Sequence, residues 1–299
     1  MKRFLLALAV LAAFGCGSKK KGNDEQDFIN SLDSLSDAKL AVSDEMIGEI
    51  IGQIPSPLEV SFLLKDAGAK YDKDILNSPS NVSGYNSSYK KALNLGIFGT
   101  DLGYTNIYQQ NQEALGYLNS IKKLADDLGI GQYFDFGTIK RLATNSNSTD
   151  SLLTMTTENF NKINEYLQGQ KRSNQSVLFL TGGWLEALHV LLKVEEKIGG
   201  EELREKVGEQ KIIYDNIRKL LDFYKDYDPN IVKLQKEMDA LGKAFDMVDI
   251  KLHSGEASTK EVNGELVIVD NSRTEVKVTD QDIQNIRIAV EKVRNLIIN

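Results

Sequence analysis

From Ser43 to about His253, apolar residues recur every three or four positions, the period of an amphipathic helix. Across the 230–252 segment, Ile231, Leu234, Met238, Leu241, Phe245, Val248 and Leu252 alternate the two spacings and so form a heptad seam. Ala114, Leu118, Ile121, Ala125 and Leu128 repeat the pattern, as do Ile283, Ile286, Val290, Val293 and Ile297. Several such seams in one chain favour antiparallel packing inside a single bundle over a dimeric coiled coil. Ser43 suits the N-cap of a helix over 44–54, and Pro57 suits the first position of the next one. The composition of 77–88, NSPSNVSGYNSS, is that of a loop. A long helical stretch is then predicted from Tyr89 to Leu128, broken near Gly103. Residues 177–194, VLFLTGGWLEALHVLLKV, are apolar on nearly all sides, as in a central buried helix.

One interruption follows the period of a strand. Asn263-Gly264 is a strong hairpin signal between β-branched runs, and 274–279 (TEVKVT) alternates. Thr279 then caps a last helix whose first turn carries Asp280 and Asp282. The fold class is therefore all-α: a single multi-helix bundle of about eight helices over 44–299. A small β-hairpin at about 258–278 completes it near the C-terminus, lying on the bundle because two strands alone are marginal.

Ahead of the bundle the chain changes character. Met1-Lys2-Arg3 precedes an apolar run over 4–15 that is shorter than the roughly 20 residues of a membrane span and fits a signal peptide. The single cysteine, Cys16, follows immediately, so no internal disulfide can form. Ala13-Phe14-Gly15-Cys16 resembles the bacterial lipoprotein cleavage box. That resemblance implies a leader over 1–15 and a mature terminus at Cys16 carrying covalent diacylglycerol and an N-acyl chain. The bland alternative is plain secretion with an unpaired thiol. Residues 16–43, with Lys19, Lys20 and Lys21 beside the anchor, then read as a lipidated cysteine and tether. Gly17 stands where an aspartate would resemble an inner-membrane retention signal, which favours the outer membrane. Two further segments, Ile54-Pro55-Ser56-Pro57-Leu58-Glu59-Val60 and Gly99-Thr100-Asp101-Leu102-Gly103-Tyr104-Thr105-Asn106, resemble those of a mostly helical family of Bacteroidetes-type outer-membrane lipoproteins. The resemblance implies an envelope location and says nothing about activity.

The formal net charge is −7, which argues against a nucleic-acid partner, since phosphate binding needs a basic face. Two places could carry chemistry. Ala92, Gly96, Gly99 and Gly103 lie along one helical face, smooth enough for a close helix crossing or for a flat ligand. Asn94, Asp101, Tyr104, Tyr108 and Asn111 make a polar stripe on another. In 177–194, Glu186 and His189 form a Glu-x-x-His step, the spacing by which bundle metal sites present two ligands. The chain holds only 2 histidines, and the second, His253, has Ile250 at the matching position. A satisfied core histidine beside a buried glutamate is the commoner outcome.

The leading expectation is a lipid-anchored, non-enzymatic helical interaction or scaffolding module, attached to the membrane through Cys16 and meeting a protein partner in the envelope. No dissociable cofactor is expected. A second expectation is a carrier or sensor of a small apolar ligand, in a pocket between the 92–103 face and the Trp184 helix. Gly96, Gly99, Asp101, Gly103, Tyr104, Tyr108 and Trp184 would line that pocket. A third is a metal-dependent enzyme using Glu186 and His189.

Overall fold

Ser56 opens helix α1 (Pro57–Asp66) through a capping box: its hydroxyl accepts from the helix start while Glu59 accepts from the Ser56 N–H at 3.3 Å. Pro57 fits the first turn, where no backbone donor is needed. The computed structural model describes residues 48, 50, 51, 54, 56–144, 158, 162–253, 258–262, 265–269 and 273–299, all within the unit Gly48–Asn299. The leader, Cys16, the tether and Ser43 lie outside those residues.

Helices α2 (Ser88–Ile107) and α3 (Asn111–Asp127) follow, then α4 (Phe136–Thr144), helical residues at 162–169, and α5 (Ser173–Ile198). The second half of the bundle is α6 (Glu201–Tyr224), α7 (Pro229–Asp246) and α8 (Asp280–Ile298). Between α7 and α8 runs a nested antiparallel hairpin. Its outer strands β1 (Asp249–His253) and β4 (Arg273–Lys277) pair with each other, as do the inner strands β2 (Ser258–Val262) and β3 (Glu265–Val269). Val262 pairs with Glu265, so only Asn263-Gly264 separate the inner strands, as the turn signal predicts. The base of the hairpin rests on α6, where Gly208 leaves room for Val276 and Val248.

The all-α bundle with a C-terminal hairpin is thus the fold, with two differences in its boundaries. The long stretch breaks at Gln109, not Gly103. Gln109 takes φ 60°, and the Gln110 N–H turns back to the Thr105 carbonyl at 2.8 Å, closing α2. Gly103 stays helical because the Leu58 side chain of α1 fills the space its missing side chain leaves. The seam of α7 also ends early: the helix stops at Asp246, and Leu252 belongs to β1. The remaining seam residues of α3, α7 and α8 are buried inside this one chain.

Helix α5 is the centre. By length and composition it could cross a membrane, yet 83% of its most apolar window is buried against neighbouring helices. Its closest neighbour is α2, and the two meet backbone to backbone. A Cβ on Gly96 would overlap the Phe179 carbonyl, and one on Gly182 would overlap that of Leu93. Thr100 locks the crossing by donating to the Gly183 carbonyl at 3.0 Å.

The glycines should therefore respond in opposite ways. Gly96→Ala and Gly182→Ala must push helices apart and should each cost about 3 kcal/mol or more, as overpacking does at its severe end. Gly99, with nothing within 4 Å of an added Cβ, should gain about 0.5–1 kcal/mol on replacement by alanine. Chemical denaturation of the three variants checks both signs.

Candidate functional site

The close α2–α5 crossing brings together side chains that lie far apart in sequence. Asn94 and Asp101 are seven residues apart on α2, so they share a face; Glu186 and His189 share one on α5. Glu186 and Asp101 are 0% exposed, in the middle of an otherwise apolar core. Carboxylates are tolerated there only when paired. Arg294 of α8 supplies the partner: its Nε and Nη2 donate to the two Glu186 carboxylate oxygens at 2.6 Å each, a bidentate fork. Arg294 itself is 6% exposed.

The segment before α2 closes over this pair. The Ile75 carbonyl accepts from Arg294 Nη2 at 3.3 Å and from His189 Nε2 at 3.0 Å, so Nε2 carries the histidine proton. Asn77 donates from its backbone to Asp101 Oδ2 at 3.3 Å and from its amide to the Tyr85 hydroxyl at 2.9 Å and Asn94 Oδ1 at 3.3 Å. Asn94 in turn donates to the Ile297 carbonyl at 3.2 Å, a second tie to α8. Asp101 Oδ1 is buried with no donor aimed at it, and a protonated Asp101 hydrogen-bonds the Glu186 carboxylate instead.

Protonation follows from this geometry. Burial pushes the Asp101 carboxyl well above its ordinary value, and the negative charge of Glu186 adds to that against the pull of Arg294. Burial also opposes the Glu186 anion, but the charge and hydrogen bonds of Arg294 outweigh it and hold that carboxyl below its ordinary value. Burial drives His189 down to about 4, with Glu186 pulling the other way. Near neutral pH Glu186 and Arg294 form a carboxylate–guanidinium pair beside a neutral histidine, while the site opposes ionisation of Asp101. The chemistry of the cluster is that of a lock between α2, α5, α8 and the 71–85 segment.

The other candidate residues disperse. At Gly96 the crossing itself fills the space expected to hold a ligand between the 92–103 face and the Trp184 helix, while nothing lies within 4 Å of an added Cβ at Gly99. Gly103 faces Leu58. Trp184 turns away from α2 toward α6, donating to Gln210 Oε1 at 3.0 Å with its ring 6.1 Å from that of Tyr214. Tyr104 and Tyr108 join Tyr71 in an aromatic cluster, with centroids 5.4 Å apart for Tyr71–Tyr104 and 4.8 Å for Tyr104–Tyr108. There the Tyr104 hydroxyl accepts from the Asp72 N–H at 3.2 Å, and Tyr71 donates to Glu113. For the metal reading, both Glu186 oxygens are taken by Arg294 and His189 Nε2 by Ile75. Among the described residues no group of three or more His, Cys, Asp or Glu side chains is placed to hold a metal ion. Sequence reasoning missed Arg294, Asn77 and Tyr85. Arg294 had a signal, since it sits between Val290 and Ile297 on the core face of α8, a lone cation in an apolar stripe.

Compared with known proteins, the chain matches no family model, no curated protein and no solved structure.

Removing one half of the ion pair should hurt more than removing both. Arg294→Met leaves Glu186 buried and unpaired and should cost about 3–5 kcal/mol, whereas adding Glu186→Leu should restore much of that; urea denaturation of the single and double variants tests it. Asp101 makes a separate prediction about pH. The unfolded chain releases this proton near 3.8 while the fold retains it, so wild-type stability falls as pH rises from there to the raised folded value. Glu186 acts with the opposite sign, its contribution being lost as pH drops below 4.5. Asp101→Asn should therefore gain on the wild type as pH rises above 3.8, until the raised folded value is passed, in the same denaturation measurement.

Proposed function

We propose that this chain is a lipid-anchored lipoprotein of the cell envelope, held in the outer membrane by acyl chains on Cys16, whose helical bundle is a non-enzymatic module for binding or scaffolding a protein partner. One observation carries the reading of the bundle. The side chains best suited to acid–base or metal chemistry, Glu186, His189 and Asp101, are spent in the core on holding helices and a loop together. What faces solvent is a helical surface on which several large apolar side chains stand exposed, Tyr227, Met247 and Ile288 among them. The anchor rests on the sequence Ala13-Phe14-Gly15-Cys16 and the apolar run before it.

Native mass spectrometry of the full-length protein, extracted gently from its own membranes, tests both halves. The expected result is a triacylated chain with a second protein at fixed stoichiometry. Substrate turnover by the purified, partner-free protein would overturn the non-enzymatic reading. Cys16→Ala should move the protein from the membrane fraction to the soluble one; unchanged membrane retention would remove the anchor.

A further inference from the structure

Two grooves run end to end on the outer face of α6 and α7, with Asp246 common to both. The first, about 480 Å³, lies between the two helices over a floor of Tyr214, Leu221 and Met238. Gly242 is what lets that floor form. The Tyr214 hydroxyl would lie 2.6 Å from a Cβ there, and it donates to the Met238 carbonyl at 3.2 Å. The second groove, about 410 Å³, sits at the corner where α7 turns into β1. Ile212 and Met247 stand in this corner 47% and 67% exposed, which places two of the 6 most exposed large apolar side chains among the described residues in one spot.

The rims are acidic. Of the aspartates there, Asp222 pairs with Lys225 at 3.5 Å and Asp249 with Lys251 at 3.4 Å, and Lys211 is committed to the Val248 carbonyl at 2.7 Å, which leaves Asp215, Asp239 and Asp246 against Arg218 and Lys243. Among the described residues, Asp215, Asp239 and Asp246 have no hydrogen-bond or ion-pair partner. Their placement is regular: Asp215 and Asp222 on α6, and Asp239 and Asp246 on α7, are each seven residues apart. That spacing is about 10.5 Å, two helical turns.

We propose that this groove is a docking site for a basic amphipathic helix of a partner protein, with an apolar side chain in the Ile212–Met247 corner and lysines or arginines two turns apart against Asp239 and Asp246, with Asp215 beside them. Charge complementarity selects this occupant. An anionic lipid surface or a nucleic acid would meet the aspartates with the wrong sign. Methionine suits the corner, since its unbranched side chain adapts to different apolar partners. The proposal rests on reading the bundle as an interaction module, but its test is separate. Failure of the lysine peptide to bind here would leave the membrane-anchor and co-extraction results standing.

The probe is a fluorescein-labelled peptide of about 18 residues, leucine on one helical face and lysine on the other, with a glutamate-for-lysine counterpart. Binding to the full-length Cys16→Ala chain, which has no lipid to attract the peptide, is read by anisotropy. The lysine peptide should bind and the glutamate peptide should not. Combining Asp215→Asn, Asp239→Asn and Asp246→Asn should weaken binding about tenfold, with Met247→Ser lowering it further. Replacing three exposed acids elsewhere, Asp66→Asn, Asp74→Asn and Glu202→Gln, makes the same charge change and should alter it less than about twofold. Absence of lysine-peptide binding, or equal loss in the two triple variants, would overturn the proposal, because the attraction would then be absent or diffuse. Preferential binding of this face to phosphatidylserine vesicles would overturn it as well.

Discussion

A carboxylate at the centre of an apolar helix leaves a chain very little freedom. Ionised Glu186 would cost several kcal/mol of desolvation if left alone, so the state that wins is the one that sets a cation against both of its oxygens. Among the described residues only Arg294 does so, and this fixes helix α8 in both position and rotation. A rotation by one residue, about 100°, would carry Arg294 away from Glu186 and take Ile286, Val290 and Ile297 out of the core with it. The apolar seam and the ion pair thus demand the same docking. The seam supplies most of the burial, and the ion pair makes the alternatives expensive.

The glycine crossing and the ion pair depend on each other in turn. Backbone contact at Gly96, Gly182 and Gly183 lets α2 approach α5 more closely than any larger residue allows. Asp101, one turn and a half along α2 from Gly96, is thereby carried up to Glu186. The cost is a second buried carboxyl whose ionisation the site opposes. Its benefit is a set of acceptors for the segment before α2, which would otherwise bury backbone and amide groups without partners. Asn77 satisfies four neighbours' needs in this way, reaching Asp101, Tyr85, Asn94 and Asn81.

Much of this was legible in the residues. The seams of α3, α7 and α8 follow from spacing alone, and so do the all-apolar character of α5 and the Asn263-Gly264 turn. The boundaries that differed were set by tertiary packing. Gly103 reads as a breaker until Leu58 fills its place, and Gln109 gives no local sign of a left-handed turn. Leu252 continues a heptad by spacing, but β1 has a strand partner 22 residues on in Thr274, which no local window can see. The site divides the same way. Asp101, Glu186 and His189 stand out as polar residues on apolar faces, while the pairing that gives them meaning joins Glu186 to a residue 108 positions away. Helix periodicity reports which face is buried; it is silent on what that face meets.

That separation along the chain has a bearing on the route to the fold. The contacts of Arg294 with Glu186 and with the Ile75 carbonyl span 108 and 219 residues, and Asn94 reaches Ile297 across 203. The α2–α5 crossing already spans 83 residues between Thr100 and Gly183, and without α8 the Glu186 carboxyl beside it has no cation opposite it among the described residues. Contacts between distant segments slow folding, because the loop must close before the contact rewards it. Here α8 is the element that closes the core: without Arg294, Glu186 must keep its proton or stay near water, and the apolar packing around it is lost in either case.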